Sequence, residues 1–191
     1  MEIGIAQLLP SFGYEPSVTD NTVYRDEIAL AMQADKLDYD HLWVVEHHFE
    51  DYSFCPDNFV FLAHLAACTN RIKLATGAVI VPWHTQPLRI AERAAMLDQL
   101  SDGRFILGLG RGLARREFDQ FAISMDESRE RYDEAAPLII EALETGFFPE
   151  HKGKYFTQPR VPLRPAPLST EWRDTRFTQV AMSPDSAEQA A

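Results

Sequence analysis

The sequence is poor in cysteine and in long apolar runs, and it lacks an excess of positive charge. Its 191 residues contain only 2 cysteines, Cys55 and Cys68, which are too few for a disulfide framework or for a zinc site of their own. No run approaches the roughly 18 apolar residues of a spanning helix. The N-terminus shows neither the basic nor the apolar part of a signal peptide. These absences predict a cytoplasmic protein with reduced thiols.

Acidic residues outnumber basic ones, with 29 Asp and Glu against 18 Lys and Arg and a formal net charge of -11. This charge predicts no general affinity for nucleic acid or for an anionic membrane. Apolar residues make up 46% of the chain and charged residues 25%, which is typical of a soluble globular domain. The length predicts a single domain. An anionic ligand would therefore need a local cluster of donors.

One candidate cluster exists, because four of the 9 glycines fall close together beside four arginines. Its members are Gly103, Gly108, Gly110, Gly112, Arg104, Arg111, Arg115 and Arg116. Glycine lets the backbone approach a ligand, and arginine can hold a phosphate through two hydrogen bonds. The cluster predicts an anion site, and a surface turn with solvated arginines is the alternative interpretation.

Strand-like and helix-like patterns alternate five times along the chain. Strands are predicted at residues 2–8, 41–45, 72–81, 105–109 and 177–182, and helices at 21–36, 59–69, 87–101 and 127–145. Pro137 predicts a kink or a break in the last of these helices, because an interior proline removes a backbone hydrogen bond. Residues 147–156 are expected to be irregular, and the prolines of residues 159–167 predict an extended segment.

Because no neighbouring strands are typical of a hairpin, the alternation predicts an α/β fold with parallel strands and right-handed crossovers. An open doubly wound sheet and a (β/α) barrel both satisfy this pattern. The first strand-to-helix turn lacks the G-x-G-x-x-G fingerprint, which disfavours a dinucleotide site, and there is no Walker A sequence.

Three segments follow predicted strands, at the end where parallel α/β proteins bind ligands. Glu46-His47-His48-Phe49 is either part of a site or a loop with two solvated histidines; it lacks the HExxH metal pattern, so no metal site is predicted. The small residues Thr76-Gly77-Ala78 allow close approach of a flat ligand or tight packing.

Gly110-Arg111-Gly112 is the candidate anion-binding segment, and Ser183-Pro184-Asp185-Ser186 is a predicted helix start. Hydroxyls and free N–H groups at a helix start favour anions, although any helix needs a cap. The aromatic residues of the loop at 46–58 are compatible with an apolar pocket wall or with core packing.

Together these segments resemble, in order, the bacterial luciferase-like family of flavin-dependent monooxygenases, and EHHF at 46–49 points to its luciferase and alkanal-monooxygenase side. The longest motif comprises Pro87-Leu88-Arg89, Ala91-Glu92, Leu97-Asp98, Leu100-Ser101, Gly103-Arg104, Gly108 and Gly110-Arg111-Gly112. The resemblance continues at Phe118, Phe121, Ser128-Arg129, Gly153-Lys154-Tyr155-Phe156 and Ser183-Pro184-Asp185-Ser186.

The resemblance implies a TIM barrel that uses reduced FMN and O2 to oxidise a small organic, aldehyde-like substrate. It further implies a separate flavin reductase and a homodimer. Two alternatives stay open: a non-catalytic flavin-binding relative of luciferase, and a deazaflavin-dependent oxidoreductase on the same fold.

The resemblance also assigns site residues. His47 matches the histidine that acts as a base near the flavin, and Gly77-Ala78 matches the place of a non-proline cis peptide under the flavin ring. Arg111 matches the arginine on the FMN phosphate, with Ser183 and Ser186 at hydroxyl positions near that group. Gly110 replaces the reactive cysteine of luciferase.

Length is the main departure from the family. A full barrel takes about 250 residues, whereas this chain matches only about the first five βα units. We expect residues 1–191 to form a single, C-terminally truncated barrel domain. A fragment of a longer monooxygenase is the favoured explanation; a natural short relative and a barrel completed by another chain are the others.

Overall fold

The computed structural model describes residues 1–11, 17–182, 184 and 187–188. The first half of the chain alternates strand and helix: β1 (Gly4–Gln7), α1 (Asp20–Lys36), β2 (His41–Val44), α2 (Asn58–Cys68), β3 (Lys73–Thr76), β4 (Val79–Ile80), α3 (Pro87–Leu100) and β5 (Phe105–Gly110). The second half contains α4 (Arg115–Gln120), α5 (Ser128–Thr145), β6 (Phe147–Phe148), β7 (His151–Lys152), β8 (Thr157–Gln158), β9 (Val161–Pro162), α6 (Trp172–Thr175) and β10 (Phe177–Gln179).

The main sheet is parallel throughout and has the order β1-β2-β3-β5-β10, with β4 also pairing with β5. Each strand in this order lies beside the strand of the same order that precedes it in the chain, so the order never reverses as it does in a doubly wound sheet. Within the described residues, no strand pairs with the outer edge of β1 or of β10. The sheet therefore has the topology of the first five units of a TIM barrel, which confirms the predicted fold class.

Helix bounds follow local signals in the sequence. The Thr19 side chain caps α1 by accepting a hydrogen bond from the N–H of Thr22, and the Asp57 side chain caps α2 in the same way through Val60. Gly146 ends α5 in the left-handed conformation, with a φ of 75°. In the described part of the chain, no helix is long and apolar enough to cross a membrane.

All six residues of β5 are buried, which explains its uninterrupted apolar sequence. The core lies between the sheet and the helices packed on its outer face. Its largest fully buried side chains are Trp172, Phe105, Phe118, Leu42, Leu62, Leu65, Leu74 and Leu107.

The predicted break at Pro137 is absent, because α5 runs through this residue as one helix of 18 residues. Pro137 is exposed, so the carbonyl that loses its helical partner lies on the solvent side. Buried Ala136 and Leu138 on either side hold the helix against the core. Tertiary packing therefore outweighs the local cost of the proline.

Residues 147–162 are also more regular than the sequence predicts. They form two short antiparallel ribbons, with β6 paired to β9 and β7 paired to β8. The Glu134 carboxylate of α5 holds the turn between β7 and β8, since it accepts backbone hydrogen bonds from Lys154 and Phe156 at 3.1 and 2.9 Å. Strands of two residues carry no periodicity, so the sequence pattern could not show them.

The predicted strand at residues 72–81 is interrupted. Ala75 lies opposite Ile106 and Val79 lies opposite Leu109, so three residues on this side face two on β5. One extra residue is thus accommodated where β3 ends, as in a β-bulge. A 3-10 turn at Val81–Trp83 then closes the segment.

Thr76 bridges the interruption. Its hydroxyl donates to the carbonyl of Gly108 at 2.9 Å and accepts from the Gly108 N–H at 2.7 Å. A Cβ atom added to Gly108 would lie 2.0 Å from the Thr76 carbonyl oxygen. Only glycine fits at this position of β5.

We expect Gly108→Ala to lower the free energy of unfolding by about 3 kcal/mol, the cost of strong overpacking. Urea denaturation of the full-length protein measures this loss. Gly146→Ala is the matched control, because its Cβ would meet nothing within 4 Å and only the φ of 75° is strained, at a cost of about 1 kcal/mol. Equal losses in the two variants would contradict the steric explanation.

Candidate functional site

A cleft of about 230 Å³ opens at the carboxyl ends of β2, β4, β5 and β10. Loops following parallel strands form its walls, which is the usual position of a ligand site in barrels. The cleft is lined by Val45, Glu46, His47, Gly77, Ala78, Ile80, Gly110, Arg111, Gly112, Leu113, Arg129, Tyr132, Asp133, Gln179, Val180 and Met182.

Four of the predicted site residues meet in this cleft, namely His47, Gly77, Ala78 and Arg111. They come from three different loops, so only the fold brings them together. Ser183 and Ser186 lie outside the described residues. Arg129 also lines the cleft, although the sequence prediction did not include it among the site residues.

The floor of the cleft is backbone. The peptide bond between Gly77 and Ala78 is cis, the geometry that the resemblance implies here. The Gly77 N–H donates to the Val44 carbonyl at 2.7 Å, and the Ala78 carbonyl accepts from the Asn58 side-chain amide at 3.1 Å. A Cβ on Gly110 would lie 3.3 Å from that of Ala78, so the glycine leaves the space beside this backbone free of a side chain.

Arg111 lies at one side of the cleft and is half-buried. Within the described residues its guanidinium has no hydrogen bond or ion pair, in contrast to Arg116, which pairs with Glu50. Gly112 turns the chain away with a φ of +83°, and an added Cβ there would lie 2.8 Å from Ile80. The loop thus presents a guanidinium that is available for an anion.

His47 also lines the cleft, and its side chain is 30% exposed. Its Nδ1 lies 3.2 Å from Oε1 of Glu117, and the same oxygen accepts the backbone N–H of His48 at 2.7 Å. Nε2 is neither bonded to a described residue nor buried. Glu117 is 1% exposed and belongs to α4, a helix that the sequence prediction missed.

Glu46 is a second buried carboxylate that the sequence prediction did not single out as a functional group. Burial raises its pKa, and hydrogen bonds from His48 and from the N–H of Ile80 oppose that rise. Its two oxygens lie 3.4 Å from Nε2 of His48 and 3.2 Å from the nitrogen of Ile80. Glu46 therefore ties the loop after β2 to β4, directly after the cis peptide.

The aromatic residues of the loop at 46–58 have two different surroundings. Phe54 packs edge-on against Tyr24 with ring centroids 5.5 Å apart, so it belongs to the packed body of the domain. Phe49 is 59% exposed and lies 5.5 Å from Phe121 between ring centroids. Tyr52 lies 5.2 Å from the His47 ring. None of these three aromatic residues of the loop is among those that line the cleft.

These features fit a flavin with a phosphate tail. The low glycine and alanine surface suits a flat ring, and the available guanidinium suits a phosphate. The described residues contain no group of three His, Cys, Asp or Glu side chains arranged to hold a metal ion.

Comparison with known proteins gives the same interpretation. The family model for luciferase-like monooxygenases matches residues 1–191. The oxygenase component of the flavin-dependent trigonelline monooxygenase of Acinetobacter baylyi is 32% identical, over 78% of this chain and 41% of that protein. The alkanal monooxygenase alpha chain of Aliivibrio fischeri is 30% identical, over 81% of this chain and 43% of its own length.

The crystal structure of the monooxygenase RslO1 from Streptomyces bottropensis superimposes with a TM-score of 0.86 at 36% identity. It covers 100% of this chain, and the match occupies 56% of RslO1. The chain thus spans about half the length of the relatives it matches. Because the family model and the barrel topology agree over the whole chain, it belongs to the luciferase-like monooxygenase family.

Proposed function

We propose that the protein carrying this chain is an FMN-dependent monooxygenase that oxidises a small apolar organic substrate, such as an aldehyde. The observation that carries the proposal is that one cleft is lined by His47, by the backbone of Gly77-Ala78 and by Arg111. His47 serves as a base, Gly77-Ala78 as a surface for a flat ring, and Arg111 as a guanidinium for a phosphate. The names of relatives that are flavin-dependent or act on alkanals support it.

In this proposal the chain binds the flavin at two points. Gly77 and Ala78 support the ring, while Arg111 holds the phosphate, assisted by Ser183 and Ser186. A reduced flavin bound there would supply the two electrons and two protons with which one oxygen atom of O2 enters the substrate and the other leaves as water. His47 accepts or holds a proton at Nε2, its ring nitrogen without a partner among the described residues.

Four further proposals accompany this function. A separate reductase supplies reduced FMN, as the words "oxygenase component" in the name of one relative imply for that protein. The two unpaired cysteines support a cytoplasmic location. Residues 1–191 form part of one barrel domain. The protein is a homodimer, as the family resemblance implies.

Oxygen uptake tests the proposal as a whole. We expect the full-length protein, given reduced FMN and a panel of apolar aldehydes and ketones, to consume O2 in a substrate-dependent way and to form an oxygenated product. FMN binding without such uptake would instead select the non-catalytic flavin-binding alternative. Binding of a reduced deazaflavin, with no O2 consumption, would select the deazaflavin-dependent alternative.

Arg111→Gln should weaken FMN binding by roughly 10- to 100-fold, the value of a hydrogen bond to a charged group. Riboflavin, which lacks the phosphate, should bind the variant and the parent equally well. Flavin fluorescence titration measures both constants. Arg89→Gln is the matched control, since Arg89 is exposed on α3 and pairs with Glu92. Equal weakening for FMN and riboflavin would contradict a phosphate contact.

His47→Gln should lower kcat by about 10²-fold, the smaller end of what a positioned base contributes. The Kd of FMN should stay within about twofold, because Arg111 and not His47 makes the proposed phosphate contact. Stopped-flow or oxygen-electrode assays give the rate, and fluorescence gives the Kd. His64→Gln on the exposed side of α2 serves as control, and an unchanged kcat in His47→Gln would remove His47 from the chemistry.

A further inference from the structure

The proposed function uses His47 as a base but does not say what orients its ring. In the structure one atom stands out, Oε1 of Glu117, because it contacts both His47 and His48. Glu117 lies six residues after Arg111, in α4, and this helix brings its side chain into contact with the loop after β2. The contact therefore links the loop after β5 to the loop after β2.

Hydrogen-bond chemistry restricts the proton on the His47 ring. An ionised carboxylate only accepts hydrogen bonds, so Nδ1 of His47 must be the donor. The neutral ring then carries its proton on Nδ1 and its lone pair on Nε2. Since Nε2 is the ring nitrogen without a partner among the described residues, the basic position is the one that is accessible.

The second bond of Glu117 fixes its position. The N–H of His48 donates to the same oxygen at 2.7 Å, shorter than the 3.2 Å contact to the His47 ring. This backbone bond anchors the carboxylate independently of the ring.

We propose that Glu117 is the positioning residue of the site, which holds the ring of His47 as the Nδ1–H tautomer. The inference rests on the proposed function only for the use of His47 as a base. Its structural part, the tautomer, can be tested in protein that contains no flavin, so the two can fail separately.

Long-range ¹H–¹⁵N correlation spectra of protein labelled at histidine give the tautomer directly. At about pH 9, where an ordinary imidazole is neutral, we expect His47 of the parent protein to show the Nδ1–H pattern. Glu117→Gln should keep it, because the amide oxygen still accepts. Glu117→Leu should lose it, because nothing then holds the proton on Nδ1.

Glu46→Gln is the matched control for the spectra, because Glu46 is an equally buried carboxylate that contacts His48 and not His47. It should leave the His47 tautomer unchanged. Thermal melts followed by circular dichroism identify any variant that does not fold. Should Glu117→Leu fail to fold, the spectrum of the parent protein still decides the assignment.

Kinetics separate positioning from simple stabilisation. Glu117→Gln keeps the acceptor and should retain most of kcat, whereas Glu117→Leu should lower kcat about tenfold with the KM for reduced FMN unchanged. In the His47→Gln background the same change should cost less than about twofold, because the group that it supports is gone.

Two results would overturn the proposal. One is an Nε2–H pattern for His47 in the parent protein, which would leave Glu117 without a donor on the ring. The other is additive losses of kcat in the double variant, which would mean that Glu117 acts on the fold or on another group. Absence of any monooxygenase activity with a correct Nδ1–H spectrum would reject the proposed function and keep the tautomer assignment.

Discussion

The close approach of β5 to the end of β3 sets the geometry of the whole site. Thr76 and Gly108 lie so near each other that no side chain fits at Gly108, and the Thr76 hydroxyl replaces the strand pairing that stops there. Gly77-Ala78 directly follows Thr76, and Arg111 lies three residues after Gly108. The backbone at Gly77-Ala78 and the loop that carries Arg111 are therefore both positioned from a single steric contact between two strands.

Two buried carboxylates then connect the loops above this contact. Glu117 reaches from the loop after β5 to the loop after β2, and Glu46 reaches from the loop after β2 to Ile80 of β4. Burying a carboxylate is costly unless it is hydrogen-bonded, and each of these carries two bonds. Loops that would otherwise move independently are thereby held in one arrangement, which a precise site requires.

The sequence predicts structural features that neighbouring residues determine, and it misses features that depend on contacts with distant residues. The predicted bounds of α1 and α2 lie within one residue of the observed ones, because periodicity and the caps Thr19 and Asp57 are local signals. The extra residue before Val79 depends on register with β5, which no local pattern records. Glu117 stands in the sequence among arginines, as in an ordinary exposed helix, and only the fold reveals its burial.

The glycine and arginine cluster left two interpretations open, an anion site and a surface turn, and the fold divides its arginines between different tasks. Arg104, before β5, donates to carbonyls that include those of Ile72 and Ala66, so it fastens the amino end of the sheet. Arg116 pairs with Glu50. Only Arg111 combines a place in the cleft with a guanidinium that has no partner in the described residues. The fold, and not the density of arginine along the sequence, therefore decides which member of the cluster lines the cleft.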